Sequence, residues 1–417
     1  MKKLAFLIPV IVLSLYTFSQ EVFVKESLVI NIEVPVRVFK SNIFVEDLTI
    51  DDFEVLEDGV PQKIEAVYLV KKRTVVRSEE KKRLSPQTSR NFYLFFEIAE
   101  YSPKLREAVS YFLNNVLFPG DNLVIVTPMK TYRMKARALE VTSREAIEDR
   151  IVKLLRTDIM LGNSEYRNLI EDLSGLAKSL STLIQSGQIE PPTKGGTAQQ
   201  ELVMTEEINT TEMPLDEQLL YYEALLGKLE TIRKIDHMKL LEFSKFLKEK
   251  DGQKYIFMFY QREFIPQVDP KILTQYMSLY QQRPDILATI TNIFDFHRRD
   301  VTFDVEPVRK AYSDSSASIH FLFISTPRPD VFGVYMEEYS EDIFTAFKEM
   351  ADSTGGYAES SVNPAISFKR ALDASENYYL LYYSPKEYQV DGKFKEIRVR
   401  VINKNYRVVH RAGYFAN

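Results

Sequence analysis

The chain has 417 residues, of which 45% are hydrophobic and 27% charged, a composition typical of folded globular proteins. At this length we expect two or three domains. The formal net charge is −5, which disfavours nucleic-acid binding because that function requires a basic surface. The chain has no cysteine, which excludes disulfides, thiolate nucleophiles and cysteine-based zinc sites.

The N-terminus has the pattern of a signal peptide. Lys2 and Lys3 precede a mainly apolar run, Leu4–Phe18, and Ser19 completes a small-residue cleavage pattern. We therefore expect residues 1–19 to be removed and the protein to be exported to the periplasm, the cell surface or the medium. A retained anchor is the alternative. Because the run is shorter than the ~20 residues that usually span a bilayer, we favour cleavage and expect no membrane span afterwards.

Residues 20–72 alternate between apolar and polar side chains, as half-buried strands do. Asp58-Gly59 indicates a hairpin, because both central positions of the tightest turns adopt positive φ. These residues predict an N-terminal β-sandwich-like domain.

Residues 73–90 are rich in both charges, and we interpret them as a solvated linker. A basic docking site is the alternative.

Residues 91–370 change to an α/β pattern. Apolar runs of strand length alternate with amphipathic helical segments, which predicts a parallel sheet buried on both faces. The runs are Phe92–Phe96, Leu123–Val126, Tyr255–Tyr260 and Ile319–Ile324.

A helical insertion covers about residues 157–235. A leucine stripe runs through 164–186, a loop rich in Pro, Gly and Thr follows at 187–214, and a long helix is predicted over 215–250. The two helices either project as a partner-binding hairpin or lie flat on the domain.

The C-terminal residues 376–417 return to a β pattern, with Tyr378–Tyr383 as a strand. Four tyrosines put aromatic area on both faces of this strand, which suits an interface or a sandwich core. We expect the N- and C-terminal β segments to pack together as one sandwich.

Three stretches of the chain, in this order, resemble the bacterial secreted proteins that carry a VWFA-related domain. They are Leu48–Ile64, Arg90–Val126 and the segments of Ala351–Tyr414 that contain Gly355-Gly356, Glu376–Pro385 and Ala412-Gly413-Tyr414. The resemblance implies a doubly wound von Willebrand factor A-like (Rossmann-like) sheet, with a ligand site where the strands end. In such domains a D-x-S-x-S motif, a Thr and an Asp usually hold a divalent cation such as Mg²⁺.

The chain departs from this metal-binding pattern. Glu97 stands at the Asp position, and Ala99 and Tyr101 stand at the two Ser positions. Arg262 follows the third strand, where the pattern has an acid. We therefore predict a degenerate site without metal, in which Arg262 pairs with Glu97 or Glu100. A magnesium ion held by Glu97 and Glu100 alone is the alternative.

No phosphate-binding loop, dinucleotide fingerprint, nucleophile elbow or zinc-binding histidine motif occurs. His320 lies in a predicted buried strand, and we interpret it as a core residue.

We predict a non-catalytic protein that binds a protein partner without a cofactor. The helical insertion is a second candidate surface, and a third hypothesis holds the partner at a strand edge or the hairpin. The main alternative is a hydrolase that uses acidic residues of the rim. The predicted binding rim consists of Glu97, Glu100, Tyr101, Gln261 and Arg262.

Overall fold

The computed structural model describes residues 30–135, 137–186, 213–298, 303–402 and 404–417, which form a mixed α/β fold. The predicted signal peptide and most of the predicted 187–214 loop lie outside these residues. The strands are β1 (Ile32–Lys40), β2 (Ile43–Phe44), β3 (Phe53–Glu57), β4 (Val60–Gln62), β5 (Ile64–Lys71), β6 (Thr74–Glu80), β7 (Arg90–Glu97), β8 (Asn122–Val126), β9 (Thr131–Met134), β10 (Gln253–Gln261), β11 (Phe264–Gln267), β12 (Ala317–Ile324), β13 (Tyr335–Glu338), β14 (Tyr357–Ser361), β15 (Asn377–Tyr383), β16 (Phe394–Val401), β17 (Arg407–His410) and β18 (Gly413–Phe415). The α-helices are α1 (Pro103–Tyr111), α2 (Ala138–Val141), α3 (Arg144–Gly162), α4 (Ser164–Ser186), α5 (Leu215–Arg233), α6 (His237–Lys248), α7 (Pro270–Leu279), α8 (Pro284–Phe296), α9 (Val305–Asp314), α10 (Glu341–Ser353) and α11 (Pro364–Asp373).

The central sheet has the order β14-β12-β10-β7-β8-β9, and all its pairs are parallel except β8 with β9. This confirms the predicted parallel α/β unit. Side chains alternate between the faces of a strand, so Phe92 and Leu94 pack under α1, α3 and α11. Tyr93 and Phe95 point to the opposite face, with α6, α9 and α10. His320 is buried in β12, as predicted.

In the part of the chain that the structure describes, one end of the sheet is uncovered on this second face. The β8–β9 connection is a hairpin, so it contributes no crossover helix there. Phe243 of α6 lies over β7, with its ring 5.5 Å from the ring of Tyr93 and 5.3 Å from that of Phe95. Within the described ranges no helix packs on β8 and β9 on this face, and Phe95 of β7 is itself only partly buried and lines the cavity described below. Val124 and Val126 are therefore only partly buried, although their strand neighbours on the other face are buried.

The strands from the two ends of the chain form a β-sandwich, which confirms the expected packing of the two β segments. One sheet has the order β17-β1-β15-β5-β6, with β2 beside β1, and the second has the order β18-β16-β3-β4. N-terminal and C-terminal strands are interleaved in both sheets, with Val34 opposite Leu381 in one and Val55 opposite Val399 in the other. All four residues belong to the common core between the sheets.

The prediction of a linker at 73–90 is wrong for residues 74–80, which form the edge strand β6 of the sandwich. Leu69 of β5 pairs with Arg77, and Val67 pairs with Glu79. Side chains of β6 alternate between exposed and half-buried, and an edge strand tolerates charges on its solvent face. The following segment is also attached, because the Tyr68 hydroxyl donates to the carbonyl of Leu84 at 2.9 Å.

The predicted long helix over 215–250 is wrong, because two helices, α5 and α6, occupy this region. Lys234 has extended backbone geometry, and the Asp236 carboxylate caps α6 by accepting the N–H groups of Met238 and Lys239, both at 3.1 Å.

The helical insertion neither projects alone nor lies flat on the central sheet. The leucine stripe of α4 packs on α5, and both helices share a separate core with α7, α8 and β11. The apolar faces of these helices bury one another, which is how amphipathic helices are stabilised.

Candidate functional site

The ends of β7 and β10 are joined by the side chain of Gln261. Parallel strands end at the same edge of a sheet, so Glu97 and Gln261 lie near each other. The Gln261 side-chain oxygen accepts the N–H groups of Ala99 and Glu100, both at 3.1 Å. Gln261 therefore positions the loop that follows β7.

Arg262 does not form the predicted ion pair with Glu97 or Glu100. Its Nε lies 2.9 Å from Oε2 of Glu338, and its guanidinium carbon lies 5.4 Å from the centre of the Phe323 ring. The cause is the antiparallel pairing of β11 with β13, which brings the acidic end of β13 beside the end of β10.

Tyr101 does not share a surface with the rest of the predicted rim. It is partly buried against the core on the α1 side of the sheet. Desolvation there raises the pKa of its hydroxyl, although Arg106 and Arg156 oppose the shift. The structure thus brings Glu97, Glu100, Gln261 and Arg262 together and separates Tyr101 from them.

A cavity of about 1660 Å³ adjoins this edge and extends along the open face of the sheet. Its floor consists of alternate residues of four adjacent strands, and their register places them in three rows. The rows are Arg133-Val124-Tyr93-Ile256, Thr131-Val126-Phe95-Met258 and Glu97-Tyr260. The walls come from α4, α6 and the segments 232–236, 262–266 and 326–331. The floor is apolar except at the β9 edge and in the last row.

Glu97 is the acidic group of the floor. It is accessible from the cavity, yet protein surrounds it closely, and desolvation raises the pKa of its carboxyl. Its register partner on β10 is Tyr260, whose hydroxyl pKa is raised mainly by desolvation and also by the nearby Glu263. Both side chains of the last row therefore retain their protons to a higher pH than they would in water.

Basic side chains outnumber acidic ones around the cavity, although the whole chain is acidic. The eight basic residues are Arg133, Arg167, Lys178, Arg233, Lys234, Lys239, Arg262 and Arg328, and the five acidic residues are Glu97, Glu100, Glu171, Asp236 and Glu263.

Several of these charges are paired. Arg233 binds Glu263 at 2.7 Å, and Arg167 donates to the carbonyl of Ala99 at 3.1 Å. Within the described ranges, Arg133, Lys178 and Lys234 have no carboxylate at ion-pair distance.

These residues do not fit a divalent cation. The Gln261 oxygen is committed to two backbone N–H groups, and after β10 the chain offers the cation Arg262, paired with Glu338, in place of an acidic ligand. Across the described part of the chain, no three His, Asp or Glu side chains are grouped closely enough to hold a metal ion.

The cavity floor is the feature that the sequence did not predict. The apolar runs Phe92–Phe96 and Leu123–Val126 predict strands buried on both faces, but Phe95, Val124 and Val126 are only partly buried. The one sequence signal was Thr127-Pro128, which ends β8 before a short return strand and leaves no room for a crossover helix.

Within the described ranges, none of the helices is both long enough and apolar enough to cross a membrane. Comparison with protein-family models, curated proteins and solved structures finds no match to this chain.

Proposed function

We propose that this protein is an exported, non-catalytic binding protein with a von Willebrand factor A-like domain, and that its cavity holds part of a protein partner without a metal ion. The observation that carries the proposal is the open cavity at the carboxyl edge of the parallel sheet, where folds of this class place their ligands. The resemblance noted in the sequence supports the same position.

The surroundings of the cavity favour a macromolecular partner. Its volume, about 1660 Å³, exceeds the roughly 300–1,000 Å³ typical of small-molecule sites. The segment Pro327–Val331 contributes to one wall, and the next residue, Phe332, is 85% exposed. Exposed aromatic side chains beside a concave surface are typical contact residues of protein interfaces.

Site-specific photocrosslinking in the cells that produce the protein tests this proposal. We would place a benzoylphenylalanine at Ala99, and at Thr131 on the cavity floor, with Val141 as an exposed control outside the cavity. We expect one partner to crosslink from both cavity positions and not from Val141, and to bind the purified wild-type chain. The same products from all three positions, or none from the cavity, would refute the proposal.

A hydrolase is the second candidate function, and one observation favours it. The raised pKa of Glu97 inside a cavity is a property of general acids. A screen of the purified chain against chromogenic glycosides and esters separates the two functions. Turnover that Glu97→Gln abolishes would establish the hydrolase, and absence of turnover favours the binding protein.

A further inference from the structure

We propose that the partner segment is an amphipathic α-helix with an acidic flank, which lies over β7, β8 and β9 with its axis along the strands and completes the helical layer on this face of the sheet. This inference rests on the proposed function and names the class of its partner.

The open area has the width of one helix. Adjacent strands lie about 4.8 Å apart, so the face from β7 to β9 is about 10 Å wide, close to the diameter of an α-helix with its side chains. A cylinder of that diameter filling the 1660 Å³ cavity is about 20 Å long, or about 14 residues at 1.5 Å per residue.

The order of the strands explains why, among the described residues, no helix covers β8 and β9 on this face. Strands buried in a parallel sheet are covered by helices on both faces, and here α6, α9 and α10 cover only the part from β14 to β7. Helix α3 packs on the opposite face, where it buries Leu155 and Ile159. The hairpin β8–β9 supplies no replacement.

The middle row of the floor supplies the apolar contact for such a helix. Val126, Phe95 and Met258 are neighbours across three strands, and each is only partly buried. Along β8, Val124 and Val126 face the cavity about 6.6 Å apart, close to the rise of about 6 Å between positions i and i+4 of a helix, so an apolar helix stripe would cover both and exclude water from them.

The charges around the floor determine which charged side chains the flanks of the bound helix carry. Arg133 lies at the β9 edge of the first row, and Lys178 lies on the α4 wall. Both are exposed, and in the described ranges neither has a carboxylate at ion-pair distance. Around the cavity as a whole, basic side chains outnumber acidic ones by eight to five. The surface therefore complements glutamates or aspartates along the helix rather than lysines.

Three labelled 15-residue peptides test this inference by fluorescence anisotropy with the full mature chain. The first is a designed amphipathic helix with Leu on one face and Glu on its flanks, the second has Lys in place of Glu, and the third is the first with its order scrambled. We expect the acidic helix to bind at least tenfold more tightly than either of the others.

Two substitutions and one control variant locate the binding. Val126→Glu should weaken the acidic helix at least tenfold, whereas Val76→Glu, on the exposed face of β6, should leave it unchanged. Arg133→Glu should reverse the preference, so that the lysine helix binds better than the acidic one.

Equal binding of the acidic and lysine helices, absence of binding, or an unchanged preference in Arg133→Glu would overturn the inference. If the Ala99 and Thr131 positions still crosslink a partner while the peptides fail, the proposed function stands and only the helix assignment falls.

Discussion

Substitution of Gln261 should release the loop after β7, because this side chain accepts the N–H groups of Ala99 and Glu100. Each hydrogen bond contributes about 0.5–1.5 kcal/mol, so Gln261→Ala should lower the local opening free energy by about 1–3 kcal/mol. That corresponds to about 5- to 150-fold faster hydrogen exchange of these two amides, since 1.4 kcal/mol is a factor of ten.

Hydrogen exchange resolved to single amides measures this effect. Gln261→Glu is the matched control, because it keeps oxygen acceptors at the same position and should retain most of the protection. Exchange of Ala99 and Glu100 that is unchanged in Gln261→Ala would refute the assignment of Gln261 as the residue that positions the rim.

Three further outcomes follow from buried and crowded positions. Asp121→Ala should lower the free energy of unfolding by about 3–5 kcal/mol, because it leaves Arg90 buried without the carboxylate that lies 2.5 Å from it. Urea denaturation measures this loss, and a loss below about 1 kcal/mol would contradict the prediction. Glu97→Gln should stabilise the fold near pH 8 but not at pH 4. Folding raises the pKa of the Glu97 carboxyl, so the folded state binds more protons than the unfolded state. The wild-type protein therefore loses stability as the pH rises, and the glutamine variant does not have this loss. Thermal unfolding at both values checks the difference, and equal shifts contradict it. Gly356→Ala should destabilise by about 1–3 kcal/mol or more, because its Cβ would lie 1.7 Å from the carbonyl oxygen of Ile319. The control Gly175→Ala, with open space around its Cβ, should stabilise by about 0.5–1 kcal/mol, and similar effects at both glycines contradict the packing argument.

The central strands were predictable because their sequences are determined by burial on both faces. Runs such as Tyr255–Tyr260 contain no polar interruption, and this pattern arises in the middle of a parallel sheet. The turn at Asp58-Gly59 was predictable for a local reason as well. Both residues have positive φ, 48° and 81°, and they connect β3 to β4.

The candidate site was only partly predictable, because it depends on contacts between distant segments. Glu97 and Gln261 could be placed at one edge by the parallel-strand rule. The partner of Arg262 could not, because Glu338 reaches it only through the pairing of β11 with β13. The open face was also missed, since the four residues Thr131–Met134 give no clear strand pattern.

The most direct test of the proposed binding cavity is to obstruct it without disturbing the fold. Gly175 of α4 lies on the cavity wall and Gly227 of α5 does not, and a Cβ at either position meets no atom within 4 Å. The measurement is the affinity of the crosslinked partner, once purified, for Gly175→Trp and Gly227→Trp, with thermal unfolding to show that both variants fold. We expect Gly175→Trp to weaken binding at least tenfold and Gly227→Trp to bind like the wild type. Equal affinities would contradict a role of the cavity in binding.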